Sequence, residues 1–163
     1  MRLRQDGEGV RKALAQDLKS EKFHDAIVGV YAELELVPEL DQFPQEVYPS
    51  VKWAPTVFPC GELNLIRGIT NAPESNASDL TYEVMVFWHA LGTDEQTIED
   101  TISRLVGAVR EFYTAKDHLQ PWLMGTTVWL GDEDYSPVIP TDRTDTAPLA
   151  KSGAITVYVR VQH

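Results

Sequence analysis

From Leu80 to Leu91 the chain reads LTYEVMVFWHAL. Such a run of β-branched and aromatic side chains suits a pleated, half-buried strand. Gly92 ends it. Thr93 stands three residues before Gln96, a capping-box spacing, and Asp94 and Glu95 place negative charge where a helix dipole favours it. Ile98, Ile102, Leu105, Val106, Val109, Phe112 and Tyr113 then recur three and four apart, the period of an amphipathic helix. Glu99, Asp100, Ser103, Arg104, Arg110 and Glu111 fall on its opposite face, and Asp100 is spaced to pair with Arg104. This strand and helix form the best-specified part of the chain.

The same pattern organises the flanks. Val10, Leu14 and Leu18 fall on one side of a helix expected over Gly9 to Lys22, and Phe23 to Ala26 is expected to turn the chain. From Ile27 to Val37, Ala32, Leu34 and Leu36 alternate with Glu33 and Glu35. That alternation favours a strand with one wet face; a helix continuing the first is the alternative, since Ala, Glu and Leu are good helix formers. Pro38, Pro44, Pro49 and Pro55 make a long loop, with Val47 to Trp53 as a short extended edge. Thr56 to Ile69 reads as a strand interrupted near Pro59 to Gly61, and Thr70 to Asp79 as a polar loop. Met124 to Leu130 is expected to be a strand, with Thr126, Val128 and Leu130 on one side and Thr127 and Trp129 on the other. A second loop follows, from Gly131 to Ser152 through Pro137, Pro140 and Pro148. Gly153 to Val161 closes the chain as a strand, with Ile155, Val157, Val159 and Val161 facing one way.

This order predicts an α+β fold: one domain spanning 1–163, with a mainly antiparallel sheet, two helices packed on one face, and long Pro-rich loops. A chain of 163 residues has room for a sizeable core.

Charge and chemistry narrow the function by exclusion. The formal net charge is −11, which disfavours nucleic-acid binding unless basic residues concentrate somewhere. The one loose basic cluster, Arg2, Arg4, Arg11, Lys12, Lys19 and Lys22, reads as the solvated face of the first helix. Cys60 is the only cysteine, so no intrachain disulfide forms; its apolar setting predicts a buried, inert thiol. No apolar run reaches membrane-spanning length, and the N-terminus lacks the apolar core of a secretory signal. His24, His89, His118 and His163 are too far apart in sequence to form a helical metal pair. Asp132, Glu133, Asp134, Asp142 and Asp145 lack calcium-loop spacing and read as a solvated acidic loop. Asn76 to Ser78 matches the glycosylation triplet, a pattern common by chance. No nucleophile elbow or phosphate-binding glycine loop occurs. Catalytic, cofactor and metal residues are therefore expected to be none.

Taken together, the N-terminal helix, the Pro-rich loop, Thr81–Trp88 (TYEVMVFW) leading into a long helix, Val128–Pro137 (VWLGDEDYSP) and Gly153–Val161 (GAITVYVRV) resemble the tail terminator, or tail completion, proteins of long-tailed bacteriophages. More loosely they resemble related neck and minor tail proteins. The likeness runs from about residue 9 to the end and lies in the order and texture of the elements. It implies a structural virion protein, not an enzyme, made in the bacterial host cytoplasm and located in the tail or neck. Such a subunit forms a ring, commonly a hexamer, that caps the tail tube and joins it to the head connector. It implies tail tube and head-tail connector proteins as partners, no cofactor, no membrane, and DNA that passes through the lumen without specific binding.

A ring subunit needs two unlike contact surfaces. The two loops supply candidates, namely Phe43, Tyr48, Trp53, Tyr135 and Arg143, and strand edges offer pairing between subunits. Two other readings remain open. One is a small α+β enzyme with a site assembled from His89, Asp134 and Tyr135. The other is an adaptor that binds one protein through the Pro-rich loop.

Overall fold

The structure is a computed structural model that describes residues 3–52, 54–70, 80–115 and 126–161. Expectations on Trp53, His118, His163, Met124 and the Asn76 to Ser78 triplet lie outside the described residues.

Asp6 caps α1 (Gly7–Leu18) by accepting a hydrogen bond from the Gly9 amide at 3.1 Å. Gly9 is required there, because a Cβ would lie 1.6 Å from the Arg4 carbonyl oxygen. The chain breaks at Lys19 and restarts at once. The Ser20 hydroxyl donates to the Asp17 carbonyl at 2.6 Å and accepts from the Phe23 amide at 3.4 Å, capping α2 (Glu21–Glu33). The turn expected at Phe23 to Ala26, and Ile27 to Glu33 of the strand expected over Ile27 to Val37, are therefore a helix. Its buried positions, Phe23, Ile27 and Tyr31, are four apart; the stretch starting at Ile27 cut that period in half. The alternating Leu34 and Leu36 belong to the helix exit, where both are exposed and Glu35 takes a left-handed φ of 59°.

The fold is α+β, and the described residues form three α-helices in place of the two expected. Its strands are β1 (Glu46–Tyr48), β2 (Cys60–Thr70), β3 (Leu80–Gly92), β4 (Thr126–Tyr135), β5 (Ile139–Pro140) and β6 (Leu149–Val161), and α3 (Glu95–Ala115) follows β3. They form one six-stranded sheet in the order β1-β2-β3-β6-β4, with β5 pairing to β6. Every pairing is antiparallel except β1 with β2. The interruption expected at Pro59 to Gly61 falls elsewhere: β2 begins at Cys60, and its irregularity lies between Leu65 and Arg67. The loop expected to begin at Gly131 is shorter. β4 continues through Asp132 to Asp134 to end at Tyr135, and β6 starts at Leu149. An exposed acidic edge strand does not show the apolar alternation that marks a half-buried one.

The cap of α3 is Asp94, not Thr93. Its carboxylate accepts from the Thr97 amide at 3.1 Å and from the Thr97 hydroxyl. The expected apolar stripe of α3, Ile98 to Tyr113, is buried along its length, and Asp100 and Arg104 do pair, at 3.7 Å. Burial decides this helix. Each buried Leu or Ile contributes roughly 1.5–3 kcal/mol, against about 1 for a cap and 0.3–0.5 for a surface pair.

The three helices cover one face of the sheet. Tyr82, Val84, Val86, Trp88 and Ala90 of β3, and Ile155, Val157, Val159 and Val161 of β6, point into that layer. Trp88 stacks on Phe23 of α2 with ring centroids 5.8 Å apart and planes 4° apart. Tyr113 of α3 donates its hydroxyl to buried Asp17 of α1 at 3.1 Å, and burial pushes that phenol well above its ordinary pKa.

Candidate functional site

Among the described residues no helix lies on the other face of the sheet, and its side chains lie in rows fixed by strand register. One row is Ile69, Thr81, Arg160 and Thr127; the next is Arg67, Glu83, Tyr158 and Trp129. Then come Asn64, Met85 and Thr156, followed by Glu62, Phe87, Ala154 and Asp134, and last Cys60, His89 and Ser152.

The aromatic part is the more open. Trp129, 41% exposed, stacks on Tyr158 with centroids 5.6 Å apart and planes 15° apart. Met85 and Phe87, half-buried, extend this surface toward β2. Aromatic and methionine side chains on an accessible surface are the composition of protein contacts. Arg67 is held to Glu83 at 2.6 Å.

The opposite end of the face is closed and polar. His89 Nε2 lies 3.0 Å from Glu62 Oε2, and His89 Nδ1 lies 2.6 Å from Ser152 Oγ. In the tautomer whose Nε2–H donates to the carboxylate, Nδ1 accepts from the Ser152 hydroxyl. The second oxygen of Glu62 accepts from the Lys52 amide at 2.9 Å, which ties the Pro-rich loop to this corner. Cys60 completes the row fully buried, and burial, with the Glu62 charge, raises its thiol pKa from 9.0 to about 11. The burial agrees with the one expected.

The Glu62–His89–Ser152 chain has the connectivity that activates a hydroxyl nucleophile. β6 is paired on both sides, to β3 and to β4, and the Ser152 amide donates to Ser136 Oγ at 2.9 Å. Amides so engaged do not converge on a developing oxyanion. What the chain does is lock β2, β3 and β6 together at one end. Among the described residues no group of three or more His, Cys, Asp and Glu side chains is placed to hold a metal ion.

The three residues of the enzyme reading are not gathered into one site. His89 and Asp134 share the uncovered face, one row apart. A cavity of about 240 Å³ touches Phe87, Asp134, Tyr135, Ser136 and Ser152 without His89 among its lining. The Tyr135 ring packs on the helix side, where a Cβ on Gly153 would meet both it and Ile102 of α3. Its hydroxyl donates to Glu133 at 2.7 Å, and Glu133 in turn accepts from Arg110 of α3.

The expected contact residues divide between the two sheet edges. Phe43 packs against the core and stacks on His24 at 3.9 Å, beside a cavity of about 390 Å³ floored by Leu18, Phe23, Ile27 and Val47. Tyr48 ends β1 with the Lys52 ammonium 5.6 Å from its ring centroid. Tyr135 ends β4, the opposite outer strand, and Arg143 lies exposed in the loop beyond β5. Trp129, Tyr158, Met85 and Phe87, a partly exposed apolar surface on this face, were not brought together by local spacing. The alternation of β3 and β6 marks them as lying off the buried side, but their gathering depends on strand order.

None of the described helices is long and apolar enough to cross a membrane. A scan against protein-family models finds no match, and a search of curated proteins finds none either.

Proposed function

We propose that this chain is a structural subunit that assembles into a ring, of the tail-terminator kind, at the end of a phage tail tube. The observation that carries the reading is the half-covered sheet. Three helices are packed on one face, while the other presents Met85, Phe87, Tyr158 and Trp129 beside open strand edges. A subunit built this way has unlike surfaces at its two edges, as head-to-tail packing around a ring requires. In this reading the ring caps the tube and docks the head connector, and the acidic chain lets DNA pass without adhering. The protein then resides in the virion tail or neck, works without a cofactor and catalyses nothing.

Electron microscopy and light scattering of the purified protein, alone and mixed with tail tubes, test this. Rings, or caps on tube ends, are the expected result. A protein that stays monomeric at high concentration and leaves tube ends bare would sink the reading.

A further inference from the structure

The ring reading leaves open how one subunit meets the next, and the sheet holds an answer that rests on that reading. Among the described residues, β4 pairs only with β6, so its other edge is open. β2 is covered on its outer edge by β1 only at Cys60, Gly61 and Glu62. From Ile66 to Thr70 every residue of β2 is exposed.

Both edges are blocked at the same end of the sheet and open at the other. On β2 the block is β1. On β4 it is the register shift between Leu130 and Glu133 and the acidic run Asp132 to Asp134. Bulges and charge are devices that keep an edge strand from pairing. The remaining regular segments, Arg67 to Thr70 on β2, beyond its own irregularity between Leu65 and Arg67, and Thr127 to Trp129 on β4, lie at the same level. Arg67, Glu83, Tyr158 and Trp129 form one register row, and Ile69, Thr81, Arg160 and Thr127 another.

Strand direction agrees with this match. β2 and β6 run one way, and β3 and β4 the other. A second copy set beside the first therefore places its β2 antiparallel to β4, and the alternation continues across the boundary without a break. The uncovered face would continue too. The row Arg67, Glu83, Tyr158, Trp129 would meet Arg67 of the next copy, a guanidinium beside an exposed indole, which is a favourable cation–π pairing.

We infer that β4 of one subunit, over Thr127 to Trp129, adds to the open edge of β2, over Arg67 to Thr70, of a second copy of this chain, so that the sheet runs unbroken from subunit to subunit. The contact is head to tail, because the two edges differ.

Disulfide trapping tests it. The variant Ile69→Cys/Thr127→Cys places thiols at positions that become cross-strand neighbours only if the edges meet in this register. Native Cys60 is fully buried, so wild type gives a low background. Each sample is oxidised alone and with tail tubes. A ladder of covalent oligomers from the double variant, absent from either single variant, is expected. Rings that form without cross-links, both here and in the two-residue-shifted pair Arg67→Cys/Thr127→Cys, would overturn the edge pairing and leave the ring reading intact. A product that stops at a dimer and also forms from Thr127→Cys alone would mean β4 pairs with itself, which overturns it as well. No assembly by microscopy or scattering would remove the ring reading and this inference with it.

Discussion

His89 and Ser152 stand directly opposite each other on β3 and β6, with imidazole Nδ1 2.6 Å from the hydroxyl oxygen. Glu62 holds the other ring nitrogen from β2, so one histidine links three strands. Removing it leaves one oxygen of an almost fully buried carboxylate without its histidine partner, the other still bonded to the Lys52 amide. His89→Ala is therefore expected to lower stability by about 1–3 kcal/mol, and Ser152→Ala by about 1. Urea unfolding with an unchanged m-value checks both.

Trp129 makes the opposite prediction. It is exposed, on an edge strand, and its main partner is the Tyr158 ring. Trp129→Ala is expected to change monomer stability by less than about 1 kcal/mol. As a central aromatic of the contact surface, its loss is expected to weaken assembly at least tenfold. Unfolding and sedimentation run on the same samples separate the two effects.

Gly61 faces the core. A Cβ there would lie 2.7 Å from the Trp88 ring, which also stacks on Phe23. Gly61→Ala is expected to destabilise by about 1–3 kcal/mol through overpacking, with a change in near-ultraviolet dichroism as the indole shifts.

Cys60 reports on opening of this same corner. Its thiol is fully buried, with a pKa of about 11. It should react with an aromatic disulfide reagent at neutral pH far more slowly than a free thiol, and at full rate in urea. Because the folded value is raised, stability is unaffected below the ordinary 9.0 and falls as pH rises from there toward 11. Rapid labelling of the native protein would contradict the packing described.

Glu133 sets an acid limit at the other edge. The Tyr135 hydroxyl first, and then Arg110, hold its carboxyl below the ordinary 4.5. Its contribution is present above that value and is lost as pH falls through the depressed one. Wild type is thus expected to exceed Glu133→Gln in stability at pH 7, and the gap should close under acid. Thermal melts from pH 7 to pH 3 read this out.

Much of the fold was legible along the chain. α3, β3 and β6 follow from apolar spacing because each buries a full stripe against the others, so the pattern is long and uninterrupted. α2 was misread because its period begins at Phe23 and its exposed exit, Glu33 to Leu36, imitates a strand. The tail of β4 was missed because Gly131 and three acids carry none of the alternation of a half-buried strand. The partners of His89 stand 27 and 63 residues away, beyond the reach of any local spacing.

Periodicity is a local property: neighbours in the chain share a helix face or a strand side, so the amino-acid order was enough to mark β3, the core stripe of α3 and the buried side of β6. Strand order is not local. It sets β6 between β3 and β4, gathers Trp129, Tyr158, Met85 and Phe87 onto one uncovered face, and leaves β2 and β4 open at the same level. Those features arise from pairings between segments far apart in sequence, whose hydrogen bonds and packing form only when the whole sheet does.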